Sequence, residues 1–397
     1  MWVLNPLLAV AAYAVAIATA SCLVRAVPAL RQLLDAQSGS RYASIDGLRG
    51  YLAFGVFIHH AVITWFFLRN GQFDFPPSNF YSQLGQASIA LFFMITSFLF
   101  WGRLLNQGRQ HDWRAFAISR LFRLYPLYLL VMALVVLGVF YASHWQLRDT
   151  PDELAVQLTR WLIFDRPDIN QYEQTGGLIS NVTWTLSYEL FFYAALPLLG
   201  IVFLRHPGWR TVLLCLLGIY LLSELFGWNH SLKRSILASF LGGIGAAYWV
   251  RNPKLTRWAR TPFAGGIALL ALLLVMSCFD RSFHTLPLLL LSLFFCIVAS
   301  GNRLFGALSL PGIRWMGEIS YSTYLLHGLL LWVVLRQLPR GAGLDITQAI
   351  WFIPALAGTG CLLVLLSSLT FMLIERPGIR AGKRLSEARR PEPARAT

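Results

Sequence analysis

Charge is scarce in this chain. Of its 397 residues only 13% are Asp, Glu, Lys or Arg, and 18 of these are acidic against 33 basic. Soluble domains carry about 25% charged and about 45–50% apolar residues, whereas 56% of this chain is hydrophobic. That balance excludes an ordinary soluble domain, a disordered chain and a nucleic-acid module built on a solvated basic face. Cysteine is also sparse. Cys22, Cys215, Cys278, Cys296 and Cys361 are odd in number, widely spaced and set inside apolar runs. They read as small buried hydrophobes, with no disulfide framework and no metal site. The sequence lacks a Ser-centred hydrolase elbow, a phosphate-binding Gly loop and a metal-ligand run, and nothing in it suggests haem or flavin.

Long apolar runs are abundant instead. A helix crosses a bilayer with about 20 apolar residues. Such runs lie near 3–24, 48–68, 84–101, 124–142, 183–204, 211–227, 235–250, 262–279, 284–300, 318–336 and 349–374. The expectation is an all-α polytopic membrane protein with about 11 transmembrane helices. Fourteen Trp, 14 Tyr and 28 Phe suit such a chain, whose interfacial belts are aromatic. The first run has no basic side chain before it, so it reads as a retained helix rather than a cleaved signal. With the N-terminus outside and the C-terminus cytoplasmic, 24 of the 33 basic residues fall on inner segments. This is the direction the positive-inside rule demands. The +15 net charge is thus mostly topology, not a nucleic-acid partner. The basic tail over 378–397 is expected to be disordered and able to touch anionic lipid. The longest polar connection, 143–180, lies outside; it either covers an extracytoplasmic substrate or is a loose loop.

Ionisable groups within membrane helices are costly and mark functional candidates. In the second run Arg49 and His60 are eleven positions apart. At about 100° and 1.5 Å per residue they share one helical stripe, about 16 Å apart along the axis. A group held by charge at the inner face could present a reactive end near His60. Its imidazole suits general-base or nucleophilic chemistry, although a polar interhelical bond is the competing reading. Gly47, Gly50 and Gly55 on the same helix would let a neighbour or ligand approach closely. Arg120 and Arg123 share a face where a basic inner loop enters a helix; they suit phosphate, or serve as topology anchors. Glu189 is a carboxyl in an apolar helix and needs a partner. It could orient a histidine, hold a sugar hydroxyl or pair with an arginine. Trp184 and Tyr188, four apart, offer a sugar-facing surface or interfacial anchoring. Tyr321, Tyr324 and His327 run along one stripe, lining a cavity or packing.

At these residues the chain resembles the acyltransferase-3 family of integral-membrane acyltransferases, in particular members that O-acetylate bacterial surface and exported polysaccharides. Asp46-Gly-Leu-Arg49-Gly followed by His60 is similar to the family's Arg/Lys, ten residues, His motif. Phe92-Phe93-Met94-Ile95-Thr96-Ser97-Phe98-Leu99 resembles its Phe-Phe-x-Ile-Ser-Gly-Phe-Leu segment, with Thr96 and Ser97 in place of Ser and Gly. Arg120-x-x-Arg123 with Tyr125-Pro126, Trp184-Thr-Leu-Ser187-Tyr188-Glu189, Ser320-Tyr321 through His327, and Glu375-Arg376-Pro377 follow in family order. The resemblance covers residues 43–377 as a membrane acyltransferase domain with a ten-helix core. Residues 1–30 are then an extra N-terminal transmembrane helix that reverses the side of the N-terminus.

The resemblance implies transfer of an acyl group, usually acetyl, from cytoplasmic acetyl-CoA to a hydroxyl of an exported or surface glycan, free or lipid-linked. The membrane would be the bacterial inner membrane, and no metal is implied. His60 is the carried-over catalytic residue, with Glu189 orienting it or the acceptor. Arg49, Arg120 and Arg123 would bind CoA phosphates or the thioester carbonyl. Asp46, Trp184, Ser187, Tyr188 and Tyr324 are the candidate substrate contacts. Two other readings are a glycolipid transporter or flippase using the same charges, and the same enzyme class with succinyl-CoA or a non-glycan acceptor. The oligomeric state is left open.

Overall fold

The computed structural model describes residues 2–36, 42–204, 208–227 and 233–387. Among the described residues every regular element is helical. In chain order they are α1 (Pro6–Ala26), α2 (Pro28–Ala36), α3 (Ala43–Asn70), α4 (Asn79–Gln107), α5 (Trp113–Ala142), α6 (Pro151–Leu162), α7 (Trp184–Leu204), α8 (Trp209–Gly227) and α9 (Arg234–Trp249). There follow α10 (Pro253–Ala259), α11 (Pro262–Cys278), α12 (Thr285–Ala299), α13 (Pro311–Glu318), α14 (Ser320–Leu331), α15 (Leu338–Ala342), α16 (Ala349–Thr370) and α17 (Arg376–Glu387). Wider π turns, Trp332–Gln337 and Phe371–Glu375, join α14 to α15 and α16 to α17 without a break.

Each of the eleven apolar runs is helical, yet the count of eleven spans is not reproduced. Among the described residues six helices are long and apolar enough to cross a membrane, or eight if each of two bent pairs is one span. The pairs are α10–α11, bent by 75°, and α13 with α14–α15, bent by 78°. The shortfall has a geometric cause in α9 and α12. Their 16 and 15 residues reach only about 22–24 Å at 1.5 Å per residue, against a hydrocarbon core of about 30 Å. α8 ends against residues 228–232, which lie outside the described set.

α3 and α4 are the most enclosed of the spans and form the centre of the bundle. Contacts between turns define its two ends. At one end Trp65 Nε1 donates to Thr347 O (2.9 Å) and Asn79 Nδ2 to Ser277 O (3.0 Å). At the other, Ser44 Oγ donates to Val298 O (2.8 Å), Arg251 to Gly102 O (3.2 Å) and Arg314 to Leu34 O (3.0 Å). The second end is the one whose basic residues predict the cytoplasm. In lipid, helices associate through close packing and small residues rather than amphipathicity. α3 and α13 meet in this way. A Cβ at Gly317 would overlap the Asp46 carbonyl oxygen, and one at Gly50 would overlap that of Ile313. α1 docks through a stripe of buried alanines, Ala9, Ala12, Ala16 and Ala20, and Tyr13 Oη donates to Tyr51 O (2.8 Å).

Two polar segments depart from the simplest expectation. The 143–183 connection is folded. α6 begins with a reciprocal capping box between Thr150 and Glu153. Trp161, Phe164 and Ile169 are fully buried. The segment leans on the middle of α5, where Tyr125 Oη donates to Leu162 O (2.9 Å) and Tyr128 Oη to Trp161 O (2.6 Å). The tail expected to be disordered over 378–397 is helical as far as Glu387. Gly378 and Gly382 are one turn apart and set α17 against Phe122 of α5, which gives the helix the packing that its polar composition does not suggest. Residues 388–397 lie outside the described set.

Candidate active site

α3, α4, α5, α7, the α13–α14 bend and α17 enclose a cavity of about 340 Å3. Three guanidiniums reach it: Arg49 from α3, and Arg120 and Arg123 from α5. Their environments differ. Arg49 lies 3.9 Å from the Asp46 carboxylate, one turn back. Arg123 is already committed, since its Nη1 lies 2.7 Å from Glu375 Oε1, while Ser322 Oγ donates to Glu375 Oε2 (2.9 Å). Glu375 has no exposed surface while Arg123 keeps 20% at the cavity, so the carboxylate side of the pair is desolvated and held by a third group. Arg120 has spare capacity. It lies over the Phe100 ring (4.7 Å), Nη2 donates to Ser119 Oγ (3.1 Å), and its buried Nε meets no acceptor.

Glu189 also lines the cavity, and its partners are hydroxyls. Thr96 Oγ1 donates to Oε1 (3.0 Å) and Tyr193 Oη to Oε2 (3.2 Å). Thr96 is one of the two positions at which the α4 motif departs from the family pattern, a Thr for Ser exchange that keeps the hydroxyl donated to the carboxylate. Tyr193 is one turn beyond Glu189, so this face of α7, with Thr185, is the cavity face. Trp184, Ser187 and Tyr188 do not line it. Trp184 and Tyr188 pack edge to face (5.5 Å), Tyr188 Oη accepts from Lys233 N (2.9 Å), and Ser187 is buried.

His60 does not line the cavity. It is half-buried on α3 beneath the 71–78 turn, with its ring stacked on Phe73 at 6.4 Å. Its Nδ1 lies 3.0 Å from Val56 O and 3.1 Å from His327 Nε2 on α14. His327 in turn packs against Tyr324, ring centroids 5.9 Å apart. Tyr324 returns to the cavity, where its Oη donates to Val182 O (2.9 Å) beside Thr185 Oγ1 (2.8 Å). A continuous file therefore runs from the arginine-lined cavity through Tyr324 and His327 to His60. His59 sits beside it, ring centroids 5.0 Å apart, and bonds to Tyr81 O through Nδ1 (2.7 Å).

An acyltransferase domain model matches residues 42–372, which include all of these side chains except Glu375 and the α17 wall. The chain belongs to the acyltransferase domain family. It is 22% identical over 387 residues to proteins of Staphylococcus aureus strains COL, MSSA476 and MRSA252, each named "Putative O-acetyltransferase". The alignments cover 85% of this chain and 57% of those proteins. The chain thus spans little more than half the length of the curated relatives it matches. No solved structure matches it.

In this acyltransferase domain the sequence brought forward Arg49, Arg120, Arg123, Glu189 and Tyr324, and the fold gathers them at one cavity. Asp46 stands behind Arg49. Sequence reasoning did not assign a site role to Tyr193, Glu318, Thr96 or Glu375. Tyr193 sits at i+4 from Glu189 and could have been found by helical spacing. Glu375 stands in one of the motif segments, but it is more than 250 residues from Arg123 and nothing local names that partner.

Proposed function

We propose that this chain is a membrane O-acyltransferase that moves an acetyl group from acetyl-CoA at the cytoplasmic face to a hydroxyl of an exported or surface glycan. The observation that carries the reading is the file of residues from three arginines at one cavity, through Tyr324 and His327, to His60 under an outer turn. Guanidiniums at the inner end suit the phosphates of CoA, which they bind bidentately. A cavity of about 340 Å3 is at the lower end of small-molecule sites, about 300–1,000 Å3. It suits the acyl-pantetheine arm, with the nucleotide end at the mouth. His60 accepts the proton of the glycan hydroxyl as that oxygen attacks the thioester carbonyl. The C–S bond breaks, and the departing CoA thiolate recovers the proton from the imidazolium. Glu189, fixed by Thr96 and Tyr193, orients the acceptor or the reacting thioester. Trp184, Ser187 and Tyr188 on the far face of α7 are proposed to guide the acceptor rather than the donor. The chain lies in a bacterial inner membrane, N-terminus outside, with no metal and no nucleic-acid partner.

The test is release of free CoA thiol from acetyl-CoA by purified protein, with and without a pool of cell-envelope glycans and with succinyl-CoA as a second donor. Glycan-stimulated release by wild type, lost in His60→Ala and weakened in Arg120→Ala, supports the proposal. Absence of release from either thioester by protein that unfolds cooperatively overturns it in favour of transport.

A further inference from the structure

His60 and His327 make a pair that the family match does not explain by itself. We propose that His327 is a positioning residue for His60: together with the Val56 carbonyl it accepts from His60 Nδ1–H, and it locks the imidazole in the tautomer that leaves Nε2 unprotonated. The inference rests on the acyl-transfer reading for its catalytic consequence, but not for the contact itself.

Two carbonyls decide the proton positions. His60 Nδ1 lies 3.0 Å from Val56 O, one turn back on its own helix. A carbonyl oxygen only accepts, so this contact requires hydrogen on His60 Nδ1. His327 Nδ1 lies 3.3 Å from Thr323 O and needs a hydrogen for the same reason. A neutral His327 protonated at Nδ1 has a lone pair at Nε2. That lone pair faces His60 Nδ1 at 3.1 Å, so the His60 N–H is shared between Val56 O and His327 Nε2. The two imidazoles are consistent in one arrangement only, and in it the free lone pair of His60 is on Nε2. This is the atom that would take the hydroxyl proton or the acyl group. When it does, the Nδ1–H becomes a stronger donor and His327 is the neutral acceptor beside it. The histidine whose other nitrogen is bonded has its reactive nitrogen set by that bond.

The surroundings hold His327 rigidly. Its side chain has no exposed surface, Tyr324 packs on its ring, and Gly328 lets the Ile179 backbone close over the helix beside it, where a Cβ would overlap that backbone. The other titratable group facing His60 is His59, ring centroids 5.0 Å apart and already bonded to Tyr81 O.

The experiment has two arms on full-length protein in detergent, comparing wild type, His327→Phe and His327→Gln. The Gln amide oxygen can accept where His327 Nε2 does; Phe fills the space and cannot. In the first arm, diethyl pyrocarbonate acylates unprotonated imidazole nitrogen, and its rate at His60 is mapped by mass spectrometry against exposed His144. His60 is expected to react about 10-fold slower in His327→Phe and near the wild-type rate in His327→Gln. In the second arm, kcat for thiol release is expected to fall about 10- to 100-fold in His327→Phe with KM for acetyl-CoA within about twofold, and to recover in His327→Gln. Equal His60 reactivity in all three proteins overturns the proposal, as does a loss in His327→Phe that Gln fails to restore. If wild type releases no thiol while His60 reactivity still depends on residue 327, the tautomer assignment stands and the acyl-transfer reading falls. A His327→Phe protein that fails to fold leaves His327→Gln to decide: wild-type His60 reactivity there supports the assignment, and reactivity about 10-fold lower removes it.

Discussion

At the scale of single residues, the cavity sets an arginine committed to a buried carboxylate beside one that keeps an unpaired donor. Arg123 neutralises a carboxylate with no access to solvent. Removing one partner of a buried pair leaves an uncompensated charge, which costs about 3–5 kcal/mol. Arg123→Ala is therefore expected to lower the unfolding temperature in detergent, and Glu375→Gln in the same chain to restore most of the loss. If the double variant melts no higher than Arg123→Ala, the pair is not the source of the stability. Arg120 has its Nε unpaired and lines the same cavity. Arg120→Ala is expected to leave the melting temperature within a few degrees and to raise KM for acetyl-CoA by about 10-fold, the loss of one charged hydrogen bond. An unchanged KM would remove Arg120 from donor binding. For Glu189→Gln, which keeps the shape and removes the charge, thiol release is expected to fall about 10- to 100-fold; wild-type turnover would make Glu189 a packing residue.

At the scale of elements, the site depends on backbones that touch. The α13–α14 bend presses Gly317 onto the Asp46 carbonyl, and Ile179 of the outer segment presses onto Gly328 of α14. These contacts set the first turn of α3 against the bend and dock the 143–183 segment on α14 beside His327. Gly328→Val places side-chain atoms where the Ile179 backbone lies. It is expected to release that segment, so that limited proteolysis cuts between 143 and 183 in the variant and not in wild type. Equal resistance would show that the capping box of α6 and the buried Trp161 suffice to keep it docked. α17 contributes Ile379 to the cavity wall through the same device, two glycines against Phe122.

At the scale of the whole molecule, charge is divided unevenly between the two ends of the bundle. Basic residues gather at the end where α4 meets the α9–α10 turn, and the acidic, folded 143–183 segment begins from the opposite end of α5. If the positive-inside bias sets orientation, a cysteine introduced at Asp152 should react with a membrane-impermeant maleimide in intact spheroplasts. One introduced at Lys383 should react only after lysis, both in a chain whose five native cysteines are replaced by Ser. The reverse pattern would invert the bundle and put the arginine end of the cavity on the wrong side for cytoplasmic CoA.

Much of this was legible in the chain itself. Scarce charge and eleven apolar runs determined a helical membrane protein, because hydrocarbon tolerates only backbones whose hydrogen bonds close within the segment. The stripe shared by Arg49 and His60, and the pairing of Arg120 with Arg123, followed from the pitch of a single helix. What the sequence alone could not determine was which side of each helix faces inward. A lipid-embedded helix is apolar all round and has no polar face to read, so only packing showed that Thr185, Glu189 and Tyr193 line the cavity while Trp184, Ser187 and Tyr188 do not. The tertiary structure also decided the long-range partners, Glu375 for Arg123 and His327 for His60. These contacts join residues 252 and 267 positions apart. They depend on how whole helices stack, and no local spacing encodes that.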